Sequence, residues 1–217
     1  MNKIAGISLI FMGMIQPASC GNSIPVHSSP EINIMTANKT DTATLAAGCF
    51  WCTEAIFEQL KGVLSVESGF TGGQVKNPSY KEVCNGNTGH AEACQIVYDP
   101  SVISFVELLE VFWKTHDPTT LNRQGADVGT QYRSAIFFHN GEQKSAAEEM
   151  KTRLNQAGIW KDPVITEIVP FKVFYKAEDY HQEYYFNNSS QPYCTLVITP
   201  KLEKFKKVFA DKLKKTR

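Results

Sequence analysis

The run Gly48-Cys49-Phe50-Trp51-Cys52 places two cysteines three residues apart around two large aromatics. Cysteine does chemistry as a thiolate, so the first question is what ionises it. Cys49 falls where an apolar strand-like segment gives way to a helix-like one. A thiolate there faces unpaired backbone N–H groups and the positive end of a helix dipole. That end contributes about 0.3–1 kcal/mol, up to ~2 when partly buried. At ~1.36 kcal/mol per unit, the thiol pKa falls by about one unit at most. Cys49 is therefore expected to be moderately activated, with the substrate complex completing the task. Three chemistries are open. A CxxC pair at a helix start suits dithiol redox work, although two bulky aromatics between the cysteines are unusual for it. A zinc site needs two further ligands, and the spacing of Cys84 and Cys94 fits no common zinc pattern. A cysteine hydrolase needs a histidine base, for which His90 and His181 are the candidates.

The elements that must position these groups follow from periodicity. Residues 42–47 predict a strand running into Gly48, residues 51–60 a helix, and 63–70 a strand stopped by Thr71-Gly72-Gly73. Residues 91–98 alternate as a strand whose one face carries Glu92, Cys94, Ile96 and Tyr98. A carboxyl on an otherwise apolar face signals either function or a buried pair. Ser104 is the predicted N-cap of a helix over 105–116, with Glu107 completing a capping box. A strand is expected over 134–139, a helix over 142–156 ending at Gly158, a strand over 164–169 and a short helix over 179–186. Strands and helices alternate irregularly, with long loops at 71–90 and 117–133. This reads as an α+β or mixed α/β domain with function on its loops. Read singly, Phe50 and Trp51 are core aromatics, Tyr80 and Tyr132 are surface or core residues, and Cys84 and Cys94 are small structural residues.

The 217-residue chain balances 22 Lys+Arg against 22 Asp+Glu, which removes whole-protein nucleic-acid binding as a default. Its 42% hydrophobic content argues against a mainly disordered chain. No apolar run reaches the ~20 residues of a membrane-spanning helix. Residues 1–20 have the layout of an export signal: Lys3, an apolar stretch from Ile4 to Ile15, then Ala18 and Ser19 before Cys20. Two readings stand: ordinary cleavage, or a lipoprotein site at which Cys20 carries the lipid and tethers the chain to a membrane, with Pro17 where such sites usually have Leu. Residues 21–41 are rich in Ser, Asn, Pro and Thr and read as a flexible tether, leaving residues 42–217 as the folded domain. Residues 200–217 carry eight basic and two acidic side chains. Leu202, Phe205, Phe209 and Leu213 recur there at helical spacing, favouring a terminal helix with its apolar stripe on the domain over a membrane-surface helix.

Gly48-Cys49-Phe50-Trp51 with Glu54, Asn77-Pro-Ser-Tyr80, Gly89-His90-Ala91-Glu92, His116-Asp117-Pro118-Thr119, Asn122-Arg123-Gln124-Gly125 and Asp127-Val-Gly-Thr-Gln-Tyr132-Arg133-Ser134 stand in one order along about residues 43–200. This ordered set resembles the class A peptide methionine sulfoxide reductases, specific for the S epimer. Phe70 and Ala126 depart from the family's usual Tyr and Asn, at secondary positions. The resemblance implies a single α+β domain: a two-layer sandwich with a central mixed sheet of ferredoxin-like core, long active-site loops and an irregular C-terminal tail. By position it implies that Cys49 is the nucleophile and Glu92 the proton donor. Phe50 and Trp51 then wall the substrate S-methyl group, Tyr80 and Tyr132 hydrogen-bond the sulfoxide oxygen, and Asp127 supports the site. It implies no metal and no bound organic cofactor.

Oxygen would leave with Cys49 as a sulfenic acid, which an internal thiol converts to a disulfide for reduction by thioredoxin or a similar dithiol. Cys194, in the polar stretch 187–194, resembles the resolving cysteine of family tails and is favoured. Cys52, three residues from Cys49, is the rival, and it is less favoured because helical i,i+3 neighbours have Cβ atoms ≈ 5–6 Å apart whereas a disulfide wants ≈ 3.5–4.5 Å, so closing the pair would need the first helical turn to unwind. The expected substrate is methionine sulfoxide, free or in oxidised proteins. The expected state is an exported monomer, periplasmic or lipid-anchored to a bacterial envelope. Two other classes make different predictions: a hydrolase using Cys49 with His90 or His181 forms product without reductant, and a non-enzymatic lipoprotein does neither.

Overall fold

The computed structural model describes residues 40–215, so the leader, Cys20 and nearly all of the tether lie outside the described residues. In chain order come β1 (Asp41–Ala47), α1 (Phe50–Phe57), β2 (Val63–Thr71), α2 (Tyr80–Cys84), β3 (Ala91–Tyr98) and α3 (Phe105–Thr115). A small hairpin follows, β4 (Arg123–Gln124) and β5 (Asp127–Val128), then a 3-10 turn at Thr130–Tyr132. Next are β6 (Ser134–Phe138), α4 (Gly141–Ala157), β7 (Glu167–Pro170) and β8 (Phe174–Lys176). The chain closes with a 3-10 turn (Asp179–His181), α5 (Tyr184–Asn187), a π-helical turn (Cys194–Ile198), α6 (Thr199–Val208) and a last 3-10 turn (Ala210–Lys212). Six strands form one mixed sheet in the order β7-β6-β1-β3-β2-β8, in which only the β6–β7 pair is parallel.

Both faces of the central strands are covered, which is why β1 is buried from Ala43 through Ala47 instead of alternating. One face carries the main core. Leu45, Ile96 and Ile136 meet Ile56 and Phe57 of α1, Leu108 and Phe112 of α3, Ala147 of α4, and Leu202 and Phe205 of α6. The other face is lined by Ala46, Ala91, Ala93 and Ala135, small enough for Phe137, Phe171 and Phe174 to lie against it. The capping box at α3 forms as expected: the Ser104 hydroxyl accepts from the Glu107 amide at 3.2 Å, and the Glu107 carboxylate accepts from the Ser104 amide at 2.9 Å.

Several expected elements are corrected. α1 stops at Phe57, not residue 60, because the chain's end takes the backbone groups that would extend it. The Lys61 amide donates to the Lys212 carbonyl at 2.9 Å, the Lys214 amide to the Gln59 carbonyl at 2.7 Å, and Leu60 bridges Leu213. The strand expected from residue 164 starts at Glu167, since the Val164 and Ile165 amides go to Asn155 and Pro118. The helix expected over 179–186 is split by Glu183, whose φ of 50° is left-handed. The loop at 71–90 holds α2, and that at 117–133 holds the β4–β5 hairpin. The tail is helical, not irregular: Cys194, Ile198, Leu202, Phe205 and Phe209 form one buried stripe on the domain.

Candidate active site

Gly48 makes the turn from β1 into α1 with a φ of +91°. A Cβ there would sit 2.6 Å from the Gln124 Cβ. Gln124 has no freedom to withdraw, because its side chain bonds Asp117 twice: it accepts from the Asp117 amide and donates to the Asp117 carbonyl, both at 3.0 Å. Gly48→Ala is therefore expected to cost about 1–3 kcal/mol from the backbone conformation alone, with steric overlap adding to it. Thermal denaturation checks this; an unchanged Tm would contradict it.

The turn delivers Cys49 to the N-cap of α1, with φ −55° and ψ 122°, and its carbonyl accepts from the Cys52 amide at 3.1 Å. The Phe50 amide, one of the helix's unpaired donors, is aimed at Glu92, donating to Oε2 at 3.0 Å. Glu92 is 1% exposed, and Oε1 has no protein partner among the described residues. Burial drives its carboxyl up to about 8; the Phe50 amide opposes this, and the charges of Asp127 and Cys52 add to it. Glu92 thus keeps its proton at neutral pH.

The expectation for Cys49 needs correction. Burial pushes its thiol well above the ordinary range, with Cys52 and the Glu92 charge adding, against a lowering hydrogen bond from Tyr193. Desolvation outweighs the helix terminus, and the nearest helix donor is already engaged by Glu92. Cys52 lies in the opposite sense, pulled down chiefly by the Cys49 thiol.

Aromatic side chains close around this pair. Phe50 lies 6.2 Å from Tyr80, ring to ring, and 5.2 Å from His181. Trp51 stacks on Tyr184 at 3.7 Å with an 8° tilt, and its indole N–H donates to His181 Nδ1 at 3.1 Å. Burial raises the Tyr80 and Tyr132 hydroxyls out of reach of ionisation, so both remain donors. The Glu92 and Cys49 charges also act on Tyr132. Asp127 accepts from the Tyr193 hydroxyl at 2.7 Å, and that hydroxyl lies 4.0 Å from the Cys52 sulfur.

The residues singled out in the sequence thus converge from five segments. Cys49, Phe50, Trp51 and Cys52 come from the start of α1, Tyr80 from α2, Glu92 from β3, Asp127 from β5, and Tyr132 from the turn after it. Cys194 departs from expectation. It is 0% exposed within the π-helical turn, not held out on a loose polar segment. The spacing of four to Ile198 and of eight to Leu202 was the available signal. Tyr193, Tyr184 and Gln124 join the site without an expected role, and His181 joins it as the partner of Trp51, not as a base; the tyrosine-rich run from Tyr180 to Tyr193 was the hint of the two tyrosines. His90 accepts from the Gly73 amide at Nδ1 (3.1 Å) and meets the Val75 carbonyl at Nε2 (2.7 Å). His181 is committed to Trp51. Neither histidine is free to serve Cys49 as a base, which removes the support for a hydrolase.

A buried thiol, a carboxylic acid that keeps its proton, and a second thiol within the same helical turn define a cysteine-dependent reductase of a small oxidised group. Comparison with known proteins narrows the class. A model of the peptide methionine sulfoxide reductase family matches residues 41–213, and the chain belongs to that family. It is 56% identical over 174 residues to a Saccharolobus solfataricus peptide methionine sulfoxide reductase MsrA, covering 80% of this chain and 97% of that one. A Sulfolobus acidocaldarius MsrA is 58% identical over 172 residues, covering 79% and 97%. Among solved structures, reduced Mxr1 from Saccharomyces cerevisiae superposes with a TM-score of 0.66 at 37% identity, over 72% of this chain and 90% of that one. Methionine sulfoxide reductase A of Corynebacterium diphtheriae gives 0.62 at 38% identity, over 69% and 75%. The fold is accordingly mixed α/β around a mixed sheet, and the reaction is the thiol-dependent reduction of methionine sulfoxide that the sequence resemblance implied.

Proposed function

We propose that Glu92 protonates the oxygen of a methionine S-sulfoxide, in a peptide or free, while Cys49 attacks its sulfur. A sulfoxide sulfur is a poor electrophile until its oxygen is protonated or strongly hydrogen-bonded, and a carboxyl titrating near 8 holds the proton this needs. Tyr80 and Tyr132 donate to the same oxygen, Phe50 and Trp51 hold the S-methyl group, and Asp127 fixes the site through Tyr193. Methionine leaves, and the oxygen stays on Cys49 as a sulfenic acid. Water is then lost to an internal thiol, Cys194 or Cys52, and thioredoxin or a similar dithiol reduces the resulting disulfide. The observation that carries this reading is Glu92, buried, with its carboxyl raised by that burial and hydrogen-bonded to the residue next to Cys49.

We read β1, α1, β2, β3, α3 and β6, with their strand order β6-β1-β3-β2, as a ferredoxin-like core of two layers. We also read residues 1–20 as an export signal, 21–41 as a tether and 42–217 as the catalytic domain of a monomer, periplasmic or anchored to the bacterial envelope through lipid on Cys20. The layout of the leader supports export. The test of function is reduction of peptides bearing S- or R-methionine sulfoxide with dithiothreitol. Turnover of the S epimer alone is expected; turnover of neither, by a folded chain, would refute the assignment.

A further inference from the structure

We infer that Arg133 is a positioning residue for this reaction: its guanidinium ties the turn carrying Tyr132 to the loop that leads into Glu92, and so holds two donors to the sulfoxide oxygen in register. This rests on the reading that Tyr132 and Glu92 both act on that oxygen.

The two groups come from separate stretches of chain. Glu92 is fixed by its strand, where it pairs with Phe70 of β2, and by the Phe50 amide at 3.0 Å. Tyr132 has less support. It ends the 3-10 turn Thr130–Tyr132, which closes through the Tyr132 amide donating to the Gly129 carbonyl at 3.0 Å. A single turn gains one bond for the several dihedrals it fixes, so its place is set from outside.

Arg133, the next residue, sets it with three bonds in three directions. Nη1 donates to the Thr130 carbonyl at 3.0 Å, Nη2 to the Gly89 carbonyl at 3.1 Å, and Nε to Glu167 Oε2 at 3.1 Å. The first bond holds the turn. The second holds the residue three places before Glu92. The third anchors the fork to β7, which pairs with β6. Among the described residues, the other side-chain hydrogen bond between these two stretches runs from the Thr130 hydroxyl to the Gly86 carbonyl and is 3.4 Å long.

The seat of the guanidinium is enclosed. The Arg133 side chain is 12% exposed, and it lies over Gly72, where φ is +82° and a Cβ would stand 3.0 Å from Nη2. The ion pair adds little to stability, because Glu167 is half exposed. What the guanidinium supplies is a planar fork with fixed donor directions, which an ammonium lacks. Tyr132 is the partner with freedom to drift, so Arg133 acts on the reaction through Tyr132.

The experiment measures methionine released in a single turnover by the full chain, reduced beforehand, from a peptide bearing S-methionine sulfoxide. Tyr132→Phe alone tests the parent reading. A loss of ~10–100-fold is expected for a hydrogen bond to a charged transition state, and a loss under about twofold would remove Tyr132 from the oxygen's donors and this inference with it. Arg133→Lys is expected to lose ~10-fold in rate, with the half-saturating peptide concentration within about twofold of wild type, because the oxygen contact acts in the transition state. In the Tyr132→Phe background the same exchange should cost less than about twofold, since the contact it would misplace is already gone. Losses that multiply would overturn the inference and leave Tyr132 in its role. So would an Arg133→Lys rate within about twofold of wild type, or a raised half-saturating concentration at an unchanged rate. Glu167→Ala removes the anchor from a half-exposed position and keeps the test open should Arg133→Lys fail to fold. It is expected to cost ~3-fold in the wild-type background and nothing beside Tyr132→Phe; an equal loss in both would overturn the inference.

Discussion

Cys49→Ser is expected to reduce turnover of methionine S-sulfoxide by at least ~10⁴-fold, about 5.4 kcal/mol of transition-state stabilisation. The substitution exchanges one atom in a residue that is 7% exposed, so the fold and the aromatic wall are retained. What is lost is the sulfur that accepts oxygen: a hydroxyl is a far weaker nucleophile than a thiolate and has no sulfenic state. The measurement is dithiol consumption alongside a thermal melt. Loss of activity with an unchanged melt assigns the effect to chemistry. Activity within tenfold of wild type would remove Cys49 from the role of nucleophile.

Glu92→Gln is expected to lower the rate of methionine release by ~10²–10⁴-fold, the usual range for general-acid work. The amide can still meet the Phe50 donor, but it has no proton to transfer. In the wild type the rate of methionine release should fall as pH rises through about 8, where Glu92 loses its proton; in the variant that fall should vanish. Stability follows the same group. Its folded pKa lies above the ordinary 4.5, so the native state binds the proton more tightly than the unfolded chain. Its contribution is fully present below about 4.5, declines as the unfolded chain ionises, and is lost once pH exceeds about 8. Glu54 and Glu58, both raised by burial to about 7, act in the same sense, so the comparison must be between wild type and variant at each pH. Glu92→Gln should gain Tm relative to wild type between pH 5 and pH 9. A constant difference would show that Glu92 is not held protonated.

Much of this site was legible because its signals are local. β3 has the predicted limits, since alternation and the Asp99-Pro100 break define a strand without tertiary help. Glu92 announced itself as the carboxyl on an apolar face. Depth is not local. The helix-terminus argument gave Cys49 a lowered thiol, but the layers packed around it decide desolvation, and desolvation is larger. The same holds for Cys194, whose polar neighbours concealed the apolar spacing that begins at Cys194 itself. The early end of α1 depends on a segment some 150 residues later in the chain, which no reading of residues 51–60 contains.

That distant segment sets how the catalytic turn moves. α1 is eight residues long, too short to persist alone in water. It is fastened at its front by the Phe50–Glu92 bond and just behind its rear end by backbone pairing of residues 59–61 with 212–214. The nucleophile's helix and the chain's last helical turn therefore belong to one cooperative opening unit. Their amide protons should exchange with solvent together, and slowly. The nucleophile's turn is thereby held at both ends, and it gives way only when the chain's last turn does.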